Sequence, residues 1–87
     1  MKRSIFVGID VAKPKLDVVV TARETGEPLG LPPAKEEWIS QNTDEGVADL
    51  VQRLTELNPE RIVMEATGGY EQRAFLALRK AGLLVAI

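Results

Sequence analysis

Asp10 and Glu65 are the two side chains whose type and setting point to chemistry. Each follows a short apolar run: Ile5-Phe6-Val7-Gly8-Ile9 precedes Asp10, and Ile62-Val63-Met64 precedes Glu65. Runs of this kind read as buried strands. A carboxylate withdrawn from water at the end of such a strand costs several kcal/mol unless a cation or a set of donors meets it. Two carboxylates on neighbouring strands would also repel, and one would take up a proton, unless a divalent ion lay between them. The expectation is therefore that the two strands lie side by side and that Asp10 and Glu65 jointly hold a divalent cation, which can activate water and bind phosphate oxygens. A two-metal site draws on three or four acids, so these two are too few for one, and the sequence assigns no others.

Composition narrows the choice of metal. The 87 residues include no Cys and no His, which removes thiolate and imidazole ligands and leaves a hard, oxygen-bound ion such as Mg²⁺ or Mn²⁺. The length allows one domain, residues 1–87, or a piece of one. An apolar share of 45% with 28% charged residues is ordinary for a globular chain. No apolar run approaches the roughly 20 residues of a membrane span, so no membrane partner is expected. Met1-Lys2-Arg3 is like the start of a signal peptide, but the apolar run after it breaks at Gly8 and Asp10, too early for a cleavable leader. A net charge of −2 argues against a free-standing nucleic-acid binder. The charge is uneven, however. Lys2, Arg3, Lys13 and Lys15 surround Asp10, whereas acids dominate from Glu24 to Asp49.

The elements that would position the two acids can be read in order. Strands are expected over about Ser4–Asp10 and Lys15–Ala22, joined by a short turn with Pro14. Thr25–Lys35, with its Gly and Pro residues, reads as a projecting loop, and Glu36–Gln41 as a short third strand. Asn42 fits a helix N-cap, with Glu45 at capping-box spacing. Val47, Leu50, Val51, Leu54 and Leu57 then form one helical stripe that ends at Asn58-Pro59. A fourth strand over Arg61–Ala66 leads through Thr67-Gly68-Gly69 into a helix over Tyr70–Ala81. Ala74, Phe75, Leu78 and Ala81 face inward on it, and Gly82 stops it. Leu83–Ile87 begins a fifth strand, and an ending on an apolar strand suggests a fragment. The order is β-β-β-α-β-α-β: an antiparallel meander followed by parallel crossovers.

Each candidate has a plainer role beside the chemical one. Asp10 can cap a turn through the backbone of Ala12 or Lys13, and Glu65 can cap the helix that follows. Gly68 and Gly69 can offer backbone N–H groups to a phosphate or simply make a turn. Tyr70 can touch a sugar or base, or pack. Lys13 and Lys15 can meet a DNA backbone or stay solvated. Asp17 fits the solvent face of the second strand better than a ligand position.

FVGIDVAKPKLDV at the start, Asn42-Thr43 with Gly46 at the first helix, and VMEATGGYE followed by ALRKAGLLVAI resemble the N-terminal region of the DEDD-type insertion-sequence transposases, bridge-RNA-guided DNA recombinases with a RuvC-like domain. The resemblance spans essentially the whole chain. It implies an α/β, ribonuclease H-like mixed sheet of order 3-2-1-4-5, truncated after the fifth strand, with Asp10 and Glu65 as the first two acids of the DEDD set. By the same resemblance, the two remaining aspartates and a C-terminal domain with a nucleophilic serine would lie beyond Ile87, and this piece alone would be inactive. It implies Mg²⁺ or Mn²⁺ as cofactor, DNA and a guide RNA as partners, a homo-oligomer, and a place on the nucleoid in a bacterial or archaeal cytoplasm. Two other readings stay open. A sugar-kinase or actin-like ATPase fragment shares the element order, but wants Gly, Ser or Thr where Val11-Ala12-Lys13-Pro14 stand. A non-catalytic oligomerisation module would use both acids as caps.

Overall fold

The computed structural model describes residues 3–24, 34–66 and 68–87. Its elements are β1 (Arg3–Val11), β2 (Lys15–Glu24), β3 (Ala34–Gln41), α1 (Asp44–Leu57), β4 (Arg61–Ala66), α2 (Gln72–Lys80) and β5 (Val85–Ala86). The strands form one sheet in the order β3-β2-β1-β4-β5, the order that the resemblance implied. β1 pairs antiparallel with β2, and β2 with β3, while β4 runs parallel to β1 and β5 parallel to β4.

Strand periodicity of two divides the sheet into two unlike faces. Ile5, Val7, Ile9 and Val11 of β1, Leu16, Val18, Val20 and Ala22 of β2, and Ile62 and Met64 of β4 all point one way. There they meet Val47, Leu50 and Leu54 of α1 and Ala74 and Leu78 of α2 in a single buried cluster. Both helices therefore lie on the same side. The opposite face carries Phe6, Gly8 and Asp10 of β1, Asp17 and Val19 of β2, and Val63 and Glu65 of β4, and neither helix covers it. Phe6 keeps 46% of its surface exposed and Val63 keeps 42%. The first strand is thus buried on one face only, not throughout as its apolar run suggested.

Several boundaries move for identifiable reasons. β3 begins at Ala34 because Ala34 to Gln41 pair with Ala22 to Lys15 along most of β2. The rest of the expected loop, 25–33, lies outside the described residues. The cap of α1 is Thr43 rather than Asn42: Thr43 has extended backbone angles, and its Oγ1 accepts the Gly46 N–H at 3.1 Å. That places Gly46, not Glu45, at the third helical position, so no capping box forms. Gly46 is also required by close approach, since a Cβ there would lie 2.1 Å from the Gln41 carbonyl oxygen. At the other end Asn58 takes the left-handed conformation (φ 50°) and donates its N–H to Leu54 O.

α2 starts at Gln72, later than the expected Tyr70. Gly68 and Gly69 are both left-handed at φ 79°, and Tyr70 and Glu71 continue in a turn before the helix begins. Ala81 was expected to face inward, but it is the exposed C-cap of α2, followed by left-handed Gly82. β5 is shorter than its apolar sequence suggested and pairs only Val85 and Ala86 with Ile62 and Val63.

Candidate metal centre

β1 and β4 are direct neighbours, and their parallel register pairs Asp10 with Glu65. Each acid is the last residue but one of its strand. Residues paired in this way share a face, and neighbouring strands stand about 4.8 Å apart. Both side chains therefore project from the same end of the uncovered face. They line an open concavity of about 500 Å³ together with Gly8, Ile9, Asp17, Val19 and Val63. Gly8 keeps the middle of this surface low, because no side chain rises between Phe6 and Asp10 on β1.

Both acids are exposed. The desolvation cost that the apolar runs implied is therefore not what these groups experience. Their pairing follows from register, and their exposure follows from both helices packing on the other side. Neither acid is separated from its partner by an intervening strand, and neither turns to the opposite face.

A third carboxylate stands in the same row. Asp17 pairs with Asp10 in the antiparallel register of β1 and β2, so Asp17, Asp10 and Glu65 cross three adjacent strands at one level. Asp17 is half-buried in the same concavity and pairs with Lys15 Nζ at 3.7 Å. It was expected on the solvent face, which is the face the site occupies. The register follows from a turn centred on Lys13-Pro14, where the Ala12 N–H meets Lys15 O; the expected strand ends at Asp10 and Lys15 centre that turn one residue earlier and set Asp10 against Lys15 instead. Among the described residues, no group of three or more acids is arranged to hold a metal ion.

The other candidates lie at the same end of the sheet but outside the row of acids. Lys13 is exposed in the β1–β2 turn, and Lys15 is engaged with Asp17. That turn closes on itself, with the Ala12 N–H donated to Lys15 O at 2.9 Å, so this amide is not free for a phosphate. Gly68 and Gly69 lie between β4 and α2 but are separated from the first helical turn by Tyr70 and Glu71. Tyr70 is 43% exposed, with its ring close enough to Gly68 that a Cβ there would come within 2.9 Å of it. Thr67 lies outside the described residues.

The donor chemistry fits a hard divalent cation. Mg²⁺ is commonly held by one or two carboxylates, with waters and substrate phosphate oxygens completing the shell. Two exposed carboxylates side by side at the rim of an open surface are a donor set of that kind.

Residues 7–87 match the family model for transposases of the DEDD, IS110 group, described as "Transposase". The chain belongs to this family. Among solved structures it is similar to RuvC of Thermus thermophilus, with a TM-score of 0.63 and 18% identity over 93% of this chain. It is also similar to a Ppx/GppA family member of Aquifex aeolicus, with a TM-score of 0.50 and 13% identity over 97% of this chain. At these identities the likeness is one of fold. The chain spans 61% of the RuvC chain and 34% of the Aquifex aeolicus one. No match to a curated protein was found. The fold of this transposase-family chain is the RuvC-like, ribonuclease H-like α/β sheet, and no helix among its described residues is long and apolar enough to cross a membrane.

Proposed function

We propose that the chain is the N-terminal part of the catalytic domain of a DNA transposase, in which Asp10 and Glu65 are two of the acids that hold a divalent cation, Mg²⁺ or Mn²⁺. The observation that carries this reading is the Asp10–Glu65 register pairing at the C-terminal ends of parallel neighbours, where open α/β sheets place their sites. The cation would supply charge neutralisation and Lewis acidity at a DNA phosphodiester during strand cleavage and rejoining. The chain's own part is to present two carboxylate donors on one rigid sheet face and to leave that face open to a substrate of large cross-section. Asp17 adds negative potential beside them. Lys13, Lys15, Gly68, Gly69 and Tyr70 flank the same end of the sheet and are assigned to contacts with the nucleic-acid backbone or bases.

The two carboxylates leave most of a cation's coordination positions to other groups. In a full-length protein these would include further acids, and the guide RNA, the DNA and other copies of the chain would be its partners. With two donors the chain alone is expected to bind Mn²⁺ only weakly, at roughly millimolar concentration. Paramagnetic line broadening tests this. Addition of Mn²⁺ should broaden the resonances of Asp10 and Glu65 first, then those of Gly8 and Val63. Broadening scattered over the surface, with no centre at these residues, would overturn the assignment.

A further inference from the structure

Asn42 is 7% exposed, in the short segment between β3 and α1, and its polar groups reach three other parts of the chain. Its Nδ2 donates to Ala12 O at 3.0 Å and to Tyr70 O at 3.1 Å. Its backbone N–H donates to Pro14 O at 3.1 Å. Its carbonyl accepts from Arg73 Nη1 of α2, and Arg73 Nε in turn pairs with Asp44 Oδ1 at 3.1 Å. Two carbonyl acceptors fix the orientation of the amide, because the flipped form would set Oδ1 against two oxygens.

The two segments joined by Nδ2 are the exits of the two strands that carry the acids. Ala12 lies two residues after Asp10, and Tyr70 lies five residues after Glu65. Asn42 Oδ1 has no hydrogen-bond partner among the described residues. Both side-chain hydrogen bonds that Asn42 makes among the described residues are donated by Nδ2. No other common side chain of this size offers two N–H donors from one uncharged nitrogen.

We infer that Asn42 is a positioning residue for the candidate metal centre: its amide ties the end of β1 to the end of β4 and so sets the separation and relative aim of the Asp10 and Glu65 carboxylates. This rests on the reading of those two acids as cation ligands. Asn42 itself touches neither the cation nor the substrate. Its effect passes through the Ala12 and Tyr70 carbonyls to the backbone that carries the acids. Asn42→Asp keeps the shape but replaces both donors with a carboxylate oxygen facing two carbonyls.

The test compares Mn²⁺ affinity and amide hydrogen exchange in the wild-type chain, Asn42→Asp, Asn42→Ser and Val20→Ala. Val20 is buried in the middle of the sheet opposite Val7, so its truncation serves as a control that lowers stability away from the strand ends. Asn42→Asp is expected to weaken Mn²⁺ binding about tenfold, the scale seen when groups that orient metal ligands are removed, and to speed exchange at the Ala12 amide. Val20→Ala should lower the melting temperature with Mn²⁺ affinity unchanged. Should Asn42→Asp fail to fold, Asn42→Ser, which keeps one donor, is read in the same way. A folded Asn42 variant with wild-type Mn²⁺ affinity overturns the positioning role and leaves the metal centre standing. Equal weakening in Val20→Ala also overturns it, as an effect of stability alone. Absence of Mn²⁺ binding in the wild-type chain removes the metal centre and the inference together.

Discussion

Asp10 and Glu65, 55 positions apart in the chain, are register partners across the parallel strands β1 and β4 and project from the same uncovered face of the sheet. Asp17 extends the row on the other side of Asp10. Directly opposed like charges on a sheet destabilise by a few tenths to about 1 kcal/mol. Asp17→Asn is therefore expected to raise the stability of the metal-free chain by about 0.5 kcal/mol, read as a higher urea midpoint. Mn²⁺ affinity should fall less than it does for Asp10→Asn, because Asp17 contributes potential rather than a bond. Isothermal titration of the two variants side by side gives the comparison.

The unlike faces of the sheet predict unlike sensitivity at adjacent positions. Met64 is 1% exposed in the core, whereas Val63 keeps 42% of its surface open. Met64→Ala should cost about 3 kcal/mol, the range for truncating a buried side chain of this size. Val63→Ala should stay within about 0.5 kcal/mol. Chemical denaturation of both variants measures the difference, and equal losses would mean that the Val63 face is covered in solution.

Gly46 faces a backbone oxygen rather than a movable side chain. An alanine there gains about 1 kcal/mol of helix propensity, but its Cβ would stand 2.1 Å from Gln41 O. The overlap forces β3 and α1 apart, and we expect Gly46→Ala to destabilise by a net amount of about 2 kcal/mol. A rise in melting temperature would contradict the close approach.

Thr43 and Asn42 are neighbours with separable roles. Thr43→Ala removes the side-chain acceptor for Gly46 N–H and should cost about 1 kcal/mol without altering Mn²⁺ affinity. A change in affinity equal to that of Asn42→Asp would show that the start of α1, rather than the Asn42 amide, governs the strand ends.

Much of this architecture was legible in the sequence because the strongest local signals agree with the tertiary arrangement. The apolar runs before Asp10 and Glu65 are of the kind that central strands carry, and the stripe from Val47 to Leu57 fits a helix with one buried face. The same apolar runs concealed the open face: Phe6, Val19 and Val63 are as apolar as their buried neighbours, so the alternation of period two is masked and the strands read as buried on both sides. The cap slipped by one residue because Asn42 and Thr43 are both good N-caps, and only tertiary contacts to Ala12 and Tyr70 decide between them. α2 begins two residues after the expected Tyr70 because Tyr70 and Glu71, though compatible with helix, continue the turn that follows Gly69. Asp17 is hard to find from sequence because a strand residue that alternates with apolar ones is ordinarily just solvated, and because its place opposite Asp10 depends on a turn centred on Lys13-Pro14.

The central claim is that Asp10 and Glu65 form one site rather than two separate surface acids, and a double-mutant cycle tests it most directly. Mn²⁺ affinity is measured for the wild-type chain, Asp10→Asn, Glu65→Gln and the double variant. A shared site predicts that each single change removes most of the binding, about tenfold or more, and that the double variant is scarcely weaker than either. Losses that simply add, or single variants that bind as the wild type does, would contradict it.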